Sequence, residues 1–302
     1  MRILILGANG FLGAACCTQF SSAGYQVLRS DKIGPADFLG DLSDLNFVGS
    51  LPDADVVVNC AAVQYVTKNL PIFSRESFFF LNNVVSAKNL SSRFKKTRTH
   101  VIHVGSSMMY KVSQNSYDES NEMVGSGFYS RSKVEAQHYI ERLPLAATVV
   151  PCIIGGPGRG GLFPKLVKSI SKFGVAIFPG SGDHPLSMVH VSDVASLIFK
   201  IAERSETGFF NAAASDALSI SQWVDEIAVA LGKEGPLRVK LPITAVEIAS
   251  KILNYTFLAQ EQLQMLSMPH VIRTPRSLSI GWKPNYTSAE TIRGLTAFLS
   301  VR

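Results

Sequence analysis

The run Arg2 to Leu6 reads RILIL, apolar after its first residue and free of polar alternation. A strand with no polar face has to be covered on both sides, as in the middle of a parallel sheet. Asp55 to Cys60 (DVVVNC) and His100 to Val104 (HVIHV) carry the same pattern, and Tyr25 to Ser30, Ala147 to Val150 and Gly208 to Asn211 supply further strand candidates. Between them the apolar spacing changes to a helical period over Ala14 to Ala23, Ser77 to Arg93 and Tyr129 to Glu141. This alternation predicts an α/β protein built on a doubly wound parallel sheet with right-handed crossovers. After Pro151 the pattern shifts. GGPGRGG (Gly155 to Gly161) reads as a loop, Leu162 to Phe173 as a helix, and residues 216–302 as mostly helical up to Gly281-Trp282-Lys283-Pro284. These segments do not continue the sheet and predict a smaller lobe over its C-terminal edge.

The joint between the first strand and the first helix is GANGFLG, with glycines at 7, 10 and 13. Gly7 allows a tight turn, Gly10 lets the backbone approach a pyrophosphate, and Gly13 lets the helix pack close to the strand. The free N–H groups and dipole of that helix then face the phosphates. Asp31 ends the second strand, where a carboxylate accepts hydrogen bonds from the hydroxyls of an adenosine ribose and repels a 2′-phosphate. NAD is therefore the expected cofactor, and Lys32, beside that carboxylate, keeps NADP as the alternative. The expected plan is a Rossmann dinucleotide-binding domain over residues 1–152, to which 189–215 return. Residues 153–188 and 216–302 form a substrate-binding lobe, with the ligand in the crevice between the two.

Tyr129 and Lys133 are four residues apart on a predicted helix, so their side chains share a face. A phenol titrates near 10, too high for a base at neutral pH, but a fixed cation close by favours the phenolate. Tyr129 then serves as a general acid/base, taking a hydroxyl proton as hydride leaves the same carbon, or returning it. Ser106, just after the HVIHV strand, is placed to hydrogen-bond the same substrate oxygen.

These motifs together resemble the extended short-chain dehydrogenase/reductases, in the NAD-dependent epimerase/dehydratase family. Gly40-Asp41-Leu42 is similar to the family's adenine-side segment, DVVVNCAA (Asp55 to Ala62) to its fourth strand, and Asn83 to the helix asparagine that supports the active-site lysine. His190-Val191-Ser192-Asp193-Val194 resembles its HVxDV segment. The resemblance implies a cofactor site made from Gly7, Asn9, Gly10, Phe11, Leu12, Gly13, Asp31, Lys32, Asp41, Leu42, Cys60, Ala61, Ala62, Asn83, Tyr129, Lys133 and Pro151. It implies Ser106, Tyr129 and Lys133 as the catalytic set, with no metal, and it implies a homodimer formed through the helix faces around Phe78 to Leu90 and Val134 to Ile140.

Departures from the family pattern bear on the substrate. Ile153 stands where nucleotide-sugar enzymes commonly carry an asparagine, and Leu186 where they carry an arginine. Arg159, His184 or Arg273 are substitutes for the lost diphosphate anchors. Ser107-Met108 lacks the acidic pair of sugar 4,6-dehydratases, which disfavours elimination. Three readings follow: a nucleotide-sugar epimerase or related sugar oxidoreductase; a ketone/alcohol oxidoreductase of the hydroxysteroid or dihydroflavonol reductase type, whose apolar pocket Ile153, Leu186, Met108 and Met109 suit; and a dinucleotide-binding module without catalysis.

Composition narrows the setting. The chain has 302 residues, 46% of them hydrophobic, enough for a large core, and a net charge of +6. Its basic residues are dispersed apart from Arg93 to Arg98 (RFKKTR), a solvated helix end by our reading, so no nucleic-acid partner is expected. Cysteines 16, 17, 60 and 152 lack metal-ligand spacing and read as reduced thiols of a cytoplasmic protein. His100 and His103, on a buried strand, read as packing residues. No apolar stretch approaches the roughly 20 residues that span a bilayer, and no signal peptide is expected.

Overall fold

Ile3, Leu4, Ile5 and Leu6 have no exposed surface, because their strand β1 (Arg2–Leu6) sits between two others in a seven-stranded parallel sheet. The computed structural model describes residues 1–65, 67, 70–255 and 258–301. After β1 come α1 (Phe11–Ser22), β2 (Gln26–Asp31), β3 (Phe38–Leu39), α2 (Leu45–Ser50) and β4 (Val56–Asn59). A long helix follows in three parts: α3 (Arg75–Phe79), a π-helical segment (Phe80–Val85) and α4 (Ser86–Phe94). Next are β5 (His100–Val104), α5 (Phe128–Ile140), β6 (Ala146–Pro151), β7 (Ile153–Gly155), α6 (Leu162–Phe173), β8 (Val175–Pro179), β9 (Pro185–His190), α7 (Val191–Arg204) and β10 (Gly208–Ala212). The chain closes with β11 (Ala217–Ser219), α8 (Ile220–Ala230), β12 (Leu237–Leu241), α9 (Ile243–Ile252), α10 (Gln260–Ser267), α11 (Pro275–Ser279) and α12 (Ser288–Ser300).

The main sheet runs β10-β6-β5-β4-β1-β2-β3. Strand order reverses between β1 and β4, and the crevice that such a reversal opens at the strands' C-terminal ends is where doubly wound sheets take ligands. One face buries Cys16 and Phe20 of α1 against Val194, Leu197 and Ile198 of α7. The other buries Val48 of α2, Leu90 and Phe94 of α4, and Ala136 and Ile140 of α5. A third apolar cluster, around Val167, Phe178, Trp223 and Ile292, lies in the later segments.

Helix α1 begins at Phe11, three residues before the sequence expectation, because the glycine turn is tight enough for Gly10 to act as its N-cap. The later segments are mostly helical, as expected, with α6 and α8 to α12. They also contain a three-stranded sheet, β11-β9-β7, and a parallel pair, β12-β8, whose strands of three to six residues are too short for periodicity to distinguish from buried helix. Asp193 of the HVSDV segment is fully buried. Its carboxylate accepts from the Asn285 backbone and side chain and from the Tyr286 N–H, at 2.9, 3.1 and 3.1 Å, which pins the C-terminal turn onto α7. No helix among the described residues is long and apolar enough to cross a membrane.

Candidate active site

The glycine loop forms a cradle. A Cβ on Gly13 would collide with the Gly7 carbonyl, and a Cβ on Gly7 would meet the Ala61 backbone at 2.8 Å. Gly10 caps α1 without a side chain, and the first turn carries no acidic residue, so the N–H groups of Phe11, Leu12 and Gly13 and the positive end of the dipole are available to an anion. Cys60, Ala61 and Ala62 follow β4 along the floor of this loop, with the Cys60 N–H donating to Leu6 O at 3.0 Å. Cys16 of α1 lies 3.9 Å from Cys60, sulfur to sulfur, and all four cysteines are free thiols.

Asp31 stands at the end of β2 as expected. Its carboxylate accepts from the backbone N–H groups of Asn9, Lys32 and Ile33, at 2.8, 2.7 and 3.3 Å, which holds it beside the glycine loop. Lys32 turns away to pair with Asp41 at 2.5 Å. Burial raises the Asp41 carboxyl, but hydrogen bonds from Lys32 and Ser43 outweigh it and hold it below the ordinary carboxylate range. Leu42 is a core residue whose carbonyl accepts from Asn89. Pro151 ends β6 and is buried beside β10.

Tyr129 and Lys133 lie on one face of α5, 6% and 2% exposed. The expected proximity of ammonium and phenol takes another form. The Lys133 ammonium donates to Val104 O at 2.6 Å and sits 3.3 Å from His103 Nε2. Asn59 Oδ1 accepts from the Ala61 N–H at 3.2 Å, and its Nδ2 lies 3.0 Å from His103 Nδ1. Burial lowers Lys133 to about 8, with Cys60 opposing, and burial together with Lys133 pushes His103 well below its ordinary value. The phenol itself is pushed up to about 12 by burial; Ser106 and the Arg159 guanidinium work against that rise and Glu261 adds to it. Ser106 and Arg159 are the groups that favour the phenolate here, while the Lys133 ammonium is held on Val104 O. Asn83, on the π-helical segment, bonds the Val63 backbone and donates to Ser132 Oγ at 2.9 Å. It braces the residue next to Lys133 rather than the ammonium.

A description of the NAD-dependent epimerase/dehydratase family matches residues 3–213. The chain belongs to this family. A Streptomyces protein named dTDP-4-dehydro-6-deoxy-D-allose reductase is 22% identical over 85% of this chain and 89% of its own. In fold the chain is similar to the UDP-glucose 4-epimerase of Thermus thermophilus, solved with NAD, at TM-score 0.80 and 18% identity, covering 99% of each chain. It is also similar to human epimerase family protein SDR39U1, solved with NADPH, at TM-score 0.82 and 18% identity over 98% of this chain and 99% of that one.

Within this epimerase/dehydratase frame, three substitute anchors separate. Arg159 reaches the crevice: its guanidinium lies 5.4 Å from the Phe11 ring centroid and 3.5 Å from Gln64 Oε1. Arg273 sits on the surface, 3.9 Å from Asp118. His184 is half-buried beside β9. Ile153, Leu186 and Met108 pack against the cluster of Val167, Trp223 and Met265, and Met109 is fully buried; apolar residues at the lost anchor positions serve that core. His103, Tyr65 and Glu261 border the site without any sequence motif to mark them. Tyr65 places its ring 5.6 Å from that of Tyr129.

Proposed function

We propose that this protein moves hydride between a nicotinamide and a secondary alcohol or ketone carbon of a nucleotide sugar, as an epimerase or a related sugar oxidoreductase. The observation that carries this reading is Arg159, a half-buried cation between the first turn of α1 and Tyr129, where a phosphate-bearing substrate finds a charge-assisted partner. A dinucleotide held by the glycine cradle through its pyrophosphate would supply the hydride acceptor or donor. Ser106 and Tyr129 hold the reacting oxygen; Tyr129 gives its proton to a carbonyl oxygen on reduction and takes it from a hydroxyl on oxidation. Lys133, anchored on Val104 O, braces the same face of α5. Asp31, with Lys32 drawn off to Asp41, supports NAD over NADP.

In this reading residues 1–152 and 189–215 take the dinucleotide, residues 153–188 and 216–302 take the sugar, and the enzyme works in the cytoplasm as a homodimer. Phe80 and Leu81, 44% and 50% exposed, mark the face we choose for the dimer contact. A second reading, an oxidoreductase for a less polar ketone or alcohol, draws support from Met108, a half-buried apolar side chain two residues past Ser106.

Mass spectrometry of the dinucleotide released on denaturing the dialysed protein separates a self-contained epimerase from an oxidoreductase that exchanges its cofactor. An epimerase keeps its NAD through oxidation and re-reduction, so near-stoichiometric NAD is expected; an empty protein favours the exchanging oxidoreductase. With UDP-glucose or a dTDP-hexose as substrate, Arg159→Met should raise KM about tenfold or more, the loss of one charge-assisted phosphate contact. An unchanged KM would remove the support on which the nucleotide-sugar reading rests.

A further inference from the structure

Helix α5, which carries Tyr129, has Gly127 at its N-cap, a residue with no side chain to cap it. Two of its first-turn amides are satisfied from elsewhere in the chain. The Tyr129 N–H donates to the Tyr65 hydroxyl at 3.3 Å, and the Ser130 N–H donates to Glu261 Oε1 at 3.0 Å. The Ser130 hydroxyl donates to the same oxygen at 2.9 Å, and the Tyr65 hydroxyl donates to Glu261 Oε2 at 2.5 Å. Glu261 belongs to α10, 131 residues beyond Ser130, and is only 2% exposed. A carboxylate at that depth is costly unless donors satisfy it; here three donors and the positive end of the α5 dipole do so. A Cβ on Gly127 would overlap the carboxylate, so the missing cap side chain is the space that Glu261 fills.

The same contacts shape the catalytic pocket. Tyr65, tethered by Glu261, stands edge-on to Phe79 and to Tyr129, with ring centroids 5.3 and 5.6 Å apart. We propose that Glu261 is a positioning residue: from the C-terminal segment it caps the helix that carries Tyr129, holds Tyr65 against the Tyr129 ring, and sets a negative charge behind the phenol. The site is therefore complete only when α10 is docked. This inference rests on the reading of Tyr129 as the acid/base. The groups that face the phenol are Ser106, Arg159 and Tyr65, with Lys133 one turn along α5, and Glu261 is the one whose charge raises it.

The test compares Glu261→Gln, which keeps an oxygen acceptor for Ser130 but loses the charge, with Glu261→Ala. Amide hydrogen exchange over residues 126–132, read by mass spectrometry, should quicken about tenfold or more in the alanine variant and stay near wild type in the glutamine variant. The pH limb of kcat/KM for alcohol oxidation should move to lower pH in Glu261→Gln, a shift that loss of packing alone does not give. If Glu261→Ala does not fold, Tyr65→Phe takes its place, with faster exchange at Tyr129 and a lower kcat at unchanged cofactor affinity. Wild-type exchange in the alanine variant (or in Tyr65→Phe, where it stands in), or an unmoved pH limb in Glu261→Gln, would overturn the proposal. Exchange needs no substrate, so it stands apart from the reading of Tyr129, which falls if Tyr129→Phe keeps its turnover.

Discussion

Tyr129 combines a motif position with a protonation state that the motif does not state. With the phenol near 12, it holds its proton throughout the neutral range, so the site as it stands is set to donate. Reduction of a ketone should accordingly be nearly flat with pH up to the phenol's value. Oxidation needs the phenolate, and its kcat/KM should rise by up to about tenfold per pH unit through the alkaline range. Pre-steady-state rates measured in both directions across pH check this, and opposite slopes would contradict it. Tyr129→Phe should lower turnover by roughly 100- to 10,000-fold while dinucleotide affinity stays close to wild type. The identities of Tyr129, Lys133 and Ser106 were legible because their spacing is local: four residues on a helix, or the end of a strand. Arg159 was legible only as a loop cation, since its approach to Phe11 depends on how the loop after β7 folds back. Glu261 left no local trace, because the amide it caps is in another part of the chain.

The strand, turn and helix at the start of the chain show how backbone and side chain share one task. Gly13 brings α1 against the Gly7 carbonyl with no room for a Cβ, and that approach aims the first-turn amides into the crevice. Gly13→Val should therefore cost about 1–3 kcal/mol in stability through overpacking, and NAD affinity should fall sharply, as read by thermal melts and titration calorimetry. Wild-type NAD affinity in that variant would mean the cradle is not the pyrophosphate site. Strands β1, β4 and β5 were readable from apolar runs, as were α5 and α6 from their period. The π-helical segment at Phe80–Val85 was not: its extra residue per turn turns Asn83 toward Ser132 and Val63, and the period of the surrounding helix hides it. Such bulges gather at functional positions, consistent with where this one falls.

The later segments are pinned to the main sheet by buried polar contacts as well as by apolar ones. His270 is one pin. Its Nε2 lies 2.8 Å from the Ser107 hydroxyl and its backbone pairs with β9. Burial pushes it down to about 4, from 6.5. Between those values the unfolded chain binds a proton that the folded chain refuses, so stability is full above about 6.5 and falls as the pH drops toward 4. The total is roughly 3 kcal/mol, and His103, lowered by burial and Lys133, acts in the same direction. Melting temperatures should fall between about pH 7 and pH 5, and His270→Asn should flatten part of that slope. A pH-independent melt over that interval would contradict the argument.

The sequence alone settled the main sheet, the glycine cradle, the strand-end carboxylate and the order of Ser106, Tyr129 and Lys133. Each is written in neighbours a few positions apart, where apolar period and turn chemistry act directly. Folding of the whole chain decided which cation enters the crevice, where the Lys133 ammonium is anchored, what caps the helix of Tyr129 and how high the phenol titrates. Those depend on burial and on charges brought together from across the chain. Electrostatics acts through space, and no spacing along a chain records it.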